Sequence, residues 1–318
     1  MQLRKTIVKL ESSTSMTRAP LQCCDVVIVN YNSGDLLLRC VDSALEAGVH
    51  RVIVVDNGSV DGSIATVERA IADSRMAIIR NGGNLGFAKA CNIGVQTSEA
   101  DIVLFLNPDC ELTSGALNRL AEVLRSSATI GMVGGMLCNP DGSEQRGGRR
   151  NFPTPKQAFV RAFGLSFLTR FFPSAFPDFL LHKMPPPDAP VQVEAISGAC
   201  MLVKRAAIDD VGLWDEDYFL HCEDLDWCMR FKLKGWQIFF VPDALVMHVG
   251  GACSRSRPIF VEWHKHRGML RFYKKFFRSE YSGLMWLFVV MGVWFRFALI
   301  SSWHTGRRLL ARSEERRG

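Results

Sequence analysis

Four short apolar runs, DVVIVN (25–30), RVIVVD (51–56), MAIIR (76–80) and DIVLFL (101–106), alternate with helical patterning over about 35–47, 61–73 and 86–97, and a further helical stretch follows at 113–126. Each run is nearly continuous rather than alternating, which is the pattern of a strand buried on both faces. Strand–helix alternation at this spacing predicts an α/β chain built on a mostly parallel sheet with helices on both sides. In such sheets ligands bind beyond the carboxyl ends of the strands. Three of the four runs end there in polar clusters: Asn30-Tyr31-Asn32, Asp56-Asn57-Gly58-Ser59 and Asn107-Pro108-Asp109.

The second half is less regular. Residues 139–195 are rich in Gly, Arg and Pro and read as loop, with a short apolar helix near 156–172. Patterning resumes at ISGACMLVKR (196–205), and the chain later reaches LMWLFVVMGVWFRFALISSW (284–303), twenty residues with the single charge of Arg296. That length suffices to span a bilayer, but a charge in its interior is costly. Basic residues flank it on both sides, so an interfacial helix with basic anchors and a core helix docked on the domain both remain open. Residues 1–20 are polar and carry no apolar core of the signal-peptide kind, and are expected to form a disordered tail.

The net charge of +6 favours anionic partners such as phosphates or a lipid surface. No helix-turn-helix, zinc-finger or aromatic-basic RNA platform appears, so nucleic acid is not expected as a partner. Ten scattered cysteines without a CxxC pair argue against a zinc cluster or a disulfide framework and for small buried hydrophobes. No G-x-G-x-x-G follows the first strand and no Walker lysine motif occurs, which argues against dehydrogenases and P-loop enzymes.

The polar segments each carry two readings. Asp56 is placed to accept from a base imide or a ribose hydroxyl, with Asn30, Tyr31 and Asn32 framing a base beside it; DNGS is also an ordinary turn-and-cap sequence. GGNLGFAKACNIG (82–94) sets Asn84, Gly86, Lys89 and Asn92 on a glycine-rich turn into a helix, which suits an anion or sugar contact and also suits a loop that needs glycine for its backbone. Asn107-Pro108-Asp109 terminates a strand, and a carboxylate there can also take one position on Mg2+ or Mn2+, which prefers one or two carboxylates plus phosphate oxygens. Six carboxylates, Asp215, Glu216, Asp217, Glu223, Asp224 and Asp226, fall within twelve residues at the start of a helix, more than capping requires. One of them is a candidate general base. His248 ends DALVMH just before Gly250-Gly251, as a structural residue or as a partner of Asp109 on a metal.

In order along the chain, VVIVNYNS, VVDNGSVDGS, NGGNLGFAKACNIG, FLNPDCEL, SGACMLVKR, GLWDEDYFLHCEDLDWCMR and MHVGG resemble family 2 glycosyltransferases, and among them the bacterial rhamnosyltransferase-like branch, over about residues 25–277. The resemblance implies a GT-A (Rossmann-like) fold, a nucleotide-sugar donor, a divalent cation and transfer with inversion. By position, Asp56 matches the acidic nucleotide contact. Asn107-Pro108-Asp109 stands in place of the D-x-D metal motif, with Asp109 the matching ligand and Asn107, neutral, a contact to donor ribose or sugar. Glu223-Asp224 matches the ED motif, with Asp224 the base that deprotonates the acceptor, and His248 matches a further metal ligand. Arg255 or Arg257 of SRSRP is expected to assist the leaving group. Together these imply rhamnosyl transfer from dTDP-rhamnose to a saccharide, with a UDP-hexose or galactofuranose donor, or an inactive scaffold, as the alternatives. The basic, apolar C-terminus points to a lipid-linked acceptor at the cytoplasmic face of a membrane. The expected organisation is a tail (1–22), a GT-A domain (23–278) and a membrane-associating helix (279–318).

Overall fold

The expected strands appear within a residue of their sequence bounds, as β1 (Cys24–Asn30), β2 (Arg51–Asp56), β3 (Met76–Arg80) and β4 (Ile102–Leu106). They alternate with α1 (Leu36–Glu46), α2 (Ser63–Ala70) and α3 (Phe87–Gln96). The computed structural model describes residues 24–155, 180–251 and 257–315, so the N-terminal tail and the apolar helix expected near 156–172 lie outside the described residues. After β4 come β5 (Cys110–Leu112), α4 (Ala116–Arg125), β6 (Ile130–Cys138), β7 (Arg149–Arg150), β8 (Val191–Gln192), β9 (Ala195–Ile196), β10 (Cys200–Lys204) and α5 (Arg205–Val211). The chain continues through α6 (Glu223–Leu233), β11 (Gln237–His248), α7 (Pro258–Phe277) and α8 (Gly283–Glu315).

The main sheet has the order β3-β2-β1-β4-β10-β6-β11-β5, with β8 added on β11. Strands β3, β2, β1 and β4 are mutually parallel, and β10 runs antiparallel between β4 and β6. Both faces are buried because side chains alternate within an all-apolar strand: Val26 and Ile28 of β1 join the core under α1, α2 and α4, while Val27 and Val29 join the core under α3, α5 and α6. The chain reverses direction of winding between β1 and β4, which opens a crevice at their carboxyl ends. Strand β11 contains Pro242, which cannot donate to a ladder; its pairing with β6 breaks register between Val241 and Leu245 to accommodate it. The eight described cysteines are all reduced and buried, as the composition implied.

Helix α6 is fastened to α7 through charge. Asp226 is fully buried and accepts from Arg230 Nε at 2.8 Å, Lys275 Nζ at 2.7 Å and the Tyr218 hydroxyl at 3.1 Å. Asp215 takes Arg271 and Lys275 of the same helix, and these two cations hold its carboxyl below the ordinary range against the effect of burial. Helix α8 then folds back along α7, with Val289 buried and Trp294 and Phe297 stacked on Trp263. Its other face, Leu284, Leu287, Phe288, Met291, Phe295 and Leu299 at spacings of three and four, is apolar and exposed. Among the described residues it is the one helix long and apolar enough to cross a membrane, with a mean hydropathy of 2.0 in an 18-residue window within Gly283–Arg307. Being only 11% buried in that stretch, it is not the core helix that the sequence left open. Removing Asp226 strands the cations around a buried site, so Asp226→Ala is expected to cost about 3 kcal/mol of stability, read as a lower midpoint in urea unfolding.

Candidate active site

The register of β1 on β2 sets Asn30 beside Asp56, and their turns interlock. Asn30 Nδ2 donates to Asp56 Oδ1 (3.1 Å), Ser59 Oγ (2.9 Å) and Ser63 Oγ (2.9 Å), and its Oδ1 accepts from Ser33. With no exposed surface, the Asn30 side chain braces this loop instead of framing a base as expected. Asn32, at φ 51, accepts from Val60 N through Oδ1, and Tyr31 is half-buried beside it. Asp56 also accepts from the Ser59 amide at 3.2 Å, leaving it 5% exposed at the crevice.

The glycine-rich turn before α3 is occupied largely by protein. Gly86 has φ 89, and a Cβ there would lie 2.8 Å from the Phe219 carbonyl, so glycine is required for the approach of the two loops. The first helical amide, Phe87 N, donates to that same carbonyl and is not offered to an anion. Asn84 accepts from Gly86 N, and Asn92 exchanges two hydrogen bonds with the Trp214 backbone. Lys89, expected at the donor, is exposed and reaches Glu216 at 3.7 Å.

At the end of β4 the chain turns through Pro108 into β5, whose antiparallel pairing with β11 sets His248 opposite Cys110. His248 Nε2 thereby lies 3.1 Å from Asp109 Oδ1. The other ring nitrogen, Nδ1, donates to Gln145 Oε1 at 2.5 Å, an orientation fixed because Gln145 Nε2 donates to Asn139 Oδ1 and the His248 carbonyl. With the proton on Nδ1, the Nε2 lone pair faces a carboxylate oxygen, an arrangement that a cation or a second proton satisfies. Asp109, Cys110 and His248 bring one ligand atom each within 4.8 Å. The Cys110 thiol turns instead to the Ala199 carbonyl, and burial, with the neighbouring Asp109 and Cys40, pushes its pKa well up, so it stays protonated. One carboxylate and one imidazole suit Mg2+ or Mn2+ with further positions filled by phosphate oxygens. Gln145 was not singled out by the sequence because it sits in the irregular stretch after β6. Arg255 lies outside the described residues; Arg257 directly precedes α7.

Asn107 and Asp224 are joined through one turn. The Asn107 amide donates to the Ala199 carbonyl at 2.9 Å, and the Gly198 amide donates to Asp224 Oδ2 at 3.2 Å. Asp224 is also ion-paired with Arg150 of β7, a residue that sequence patterning does not reveal. Glu223 is buried, its Oε2 has no hydrogen-bond partner among the described residues, and burial together with the adjacent Asp224 pushes its pKa up to about 8. Both acids follow two consecutive non-glycine residues at positive φ, His221 (67°) and Cys222 (71°). That conformation costs of order 1–3 kcal/mol per residue and is held by the surrounding packing. Gly268 of α7 makes the packing possible, since a Cβ there would lie 2.7 Å from the His221 carbonyl. Of the six clustered carboxylates, Asp215, Glu216, Asp217 and Asp226 have basic partners on α3, α6 and α7. Glu223 and Asp224 remain, and Asp224 lines a cavity of about 660 Å³ between the 221–225 segment, the β7 region and helices α7 and α8.

Residues 25–212 match the model of glycosyl transferase family 2, and residues 159–310 match that of glycosyl transferase family group 2. An N-acetylglucosaminyl-diphospho-decaprenol L-rhamnosyltransferase of Mycobacterium tuberculosis is 30% identical over 241 residues, spanning 70% of this chain and 75% of that protein. The rhamnosyltransferase WbbL of Escherichia coli is 25% identical over 239 residues, spanning 73% and 85%. Among solved structures, a mannosyltransferase of Pyrobaculum calidifontis in complex with GDP-Man and Mn2+ superposes with a TM-score of 0.55 at 15% identity, covering 94% of this chain and 81% of that one.

Two measurements probe the site directly. Gln145→Ala frees the His248 ring and is expected to weaken Mn2+ binding roughly 10–100-fold, read by calorimetry in the presence of dTDP; an unchanged affinity would remove Gln145 from this role. For Glu223, the unfolded carboxyl ionises near its ordinary 4.5 and the folded one near 8. Its contribution to stability is therefore full below the first value and lost as pH rises through the second. Glu223→Gln, uncharged throughout, should gain on the wild type across that window in urea midpoints, and a constant difference would refute the burial argument.

Proposed function

The chain belongs to glycosyl transferase family 2, and on that premise we propose that it transfers rhamnose from dTDP-rhamnose to a lipid-linked saccharide, with inversion at the anomeric carbon. The observation that carries this reading is the linkage of two sites through residues 197–199. Asp224, lining the cavity, is held by Gly198, and Asn107 at the end of β4 is held by Ala199. Donor and acceptor groups bound on the two sides of this turn would meet over it.

In this mechanism the donor nucleotide lies at the carboxyl ends of β1, β2 and β4. Asp56 accepts from the base or ribose, Asn32 and Tyr31 border it, and Asn107 contacts ribose or sugar. Asp109 and His248 would hold a divalent cation, which when bound neutralises charge on the departing diphosphate. Asp224 takes the proton of the acceptor hydroxyl as its oxygen attacks the anomeric carbon, and the nucleoside diphosphate departs from the opposite face. Arg150 fixes the carboxylate in place, and Glu223, protonated near neutrality, adds no second negative charge beside it. One acid is thereby kept as a base and its neighbour as a neutral group by their different surroundings.

The named acceptor of the mycobacterial relative, a sugar on diphospho-decaprenol, supports a lipid-linked acceptor here. The exposed apolar face of α8 supports attachment at a membrane, on its cytoplasmic side where nucleotide sugars are available. Residues 279–318 would form the attachment and 23–278 the catalytic domain.

Asp224→Asn removes the base while preserving size, and is expected to keep dTDP and Mn2+ binding while transfer falls by about 10²–10⁴. Product analysis across a panel of nucleotide sugars tests both claims. Transfer at the wild-type rate would end the assignment of Asp224, and turnover of UDP-hexoses in place of dTDP-rhamnose would replace the donor.

A further inference from the structure

The cavity that holds Asp224 is larger than a proton-transfer site needs, and its lining is both basic and apolar. Its lining combines the basic side chains Arg146, Arg150, Lys265 and Arg296 with the apolar Met269, Phe288, Val289 and Val293. Asp224 is the one carboxylate among the described lining residues, and it is already paired with Arg150. Lys265 is paired with Glu262. Among the described residues neither Arg146 nor Arg296 forms an ion pair, although the Glu262 carboxyl lies near enough to Arg296 to be held low, against the effect of burial, partly by its charge. Two further polar atoms there are buried without a hydrogen-bond partner among the described residues, Arg150 Nε and the Tyr273 hydroxyl, and Tyr273 is fully buried.

Arg296 is the costly residue in this arrangement. It is the single charge of an apolar twenty-residue stretch, and although the residue is exposed its side chain also lines the cavity. Its Nη1 donates to His266 Nε2 at 3.2 Å. His266 Nδ1 in turn donates to the Glu262 carbonyl at 2.7 Å, so the imidazole accepts from Arg296 as a neutral ring. Burial, and the adjacent Arg296 among other charges, lowers the His266 pKa in keeping with that state. A guanidinium on an apolar helix, bonded to a neutral histidine at the cavity wall, has donors left over for an anion.

We propose that this cavity seats the diphosphate of an isoprenoid-linked acceptor. Arg146 and Arg296 bind the phosphate oxygens, the Arg150 Nε and Tyr273 hydroxyl lie within the same seat, the saccharide extends to Asp224, and the isoprenoid leaves across Phe288, Val289 and Val293 toward the membrane-facing side of α8. The assignment rests on Asp224 as the acceptor's base, and adds which groups recognise the acceptor and from which side it enters.

The test is a binding measurement that requires no turnover. Full-length protein in detergent micelles, with dTDP and Mn2+ saturating so that the nucleotide site is filled, is titrated with farnesyl diphosphate, farnesol and inorganic pyrophosphate. Farnesyl diphosphate should bind tightest, and Arg296→Leu and Arg146→Gln should each weaken it about 10–100-fold, the range of a hydrogen bond to a charged group. Arg296→Lys should restore part of the loss, and dTDP binding to each variant reports that the fold is intact. Equal binding of farnesol, or no loss in either variant, would overturn the headgroup assignment. Equal binding of pyrophosphate would overturn the isoprenoid part. Because dTDP is retained throughout, these outcomes are separable from failure of the transferase reading, which appears only as absent transfer.

Discussion

His248 stands opposite Cys110 because β11 runs antiparallel to a strand of only three residues, and that pairing brings an imidazole from the end of the sheet's longest strand to Asp109 at the start of β5. Strand pairing has a period of two, so a slip of one residue would turn His248 to the opposite face and leave Asp109 without it. The Val249 amide, bonded to the Asp109 carbonyl at 3.0 Å, pins the register beyond the strand. Gln145 then fixes the ring, and the register break at Pro242 lets β11 remain parallel to β6 while reaching β5. A single neutral Asn107 in place of a second carboxylate makes the candidate metal site depend on this pairing.

The sheet was legible because its strands are buried on both faces and therefore written as uninterrupted apolar runs; β1 to β4 and their helices could be placed from the sequence alone. The polar ends of those strands were legible as positions and less so as roles. Asn30 reads as a residue that frames a base yet is wholly internal, because three hydroxyl and carboxylate groups from the next turn surround it. Lys89 reads as an anion or sugar contact yet turns to Glu216. Arg150 and Gln145 were invisible for the opposite reason: they lie in a stretch without periodicity, and their importance comes from partners 74 and 103 residues away.

The acidic cluster shows how one segment divides its charges. Four of its six carboxylates are committed to Arg and Lys partners that bind α6 to α3 and α7, and the strain of His221 and Cys222 is carried by that packing. Because α7 also carries α8 against its side, the segment holding Glu223 and Asp224 and the apolar helix are parts of one packed unit.

The buried cysteines have a practical corollary. Every described thiol is shielded from solvent, and for Cys40, Cys91, Cys110, Cys200, Cys222 and Cys228 burial also raises the pKa, which keeps the reactive thiolate scarce. Alkylating reagents then reach these sulfurs only when the surrounding element opens. Cys40 on α1 lies in the core on one face of the sheet and Cys228 on α6 in the core on the other, so the order in which they become labelled tells which face opens first.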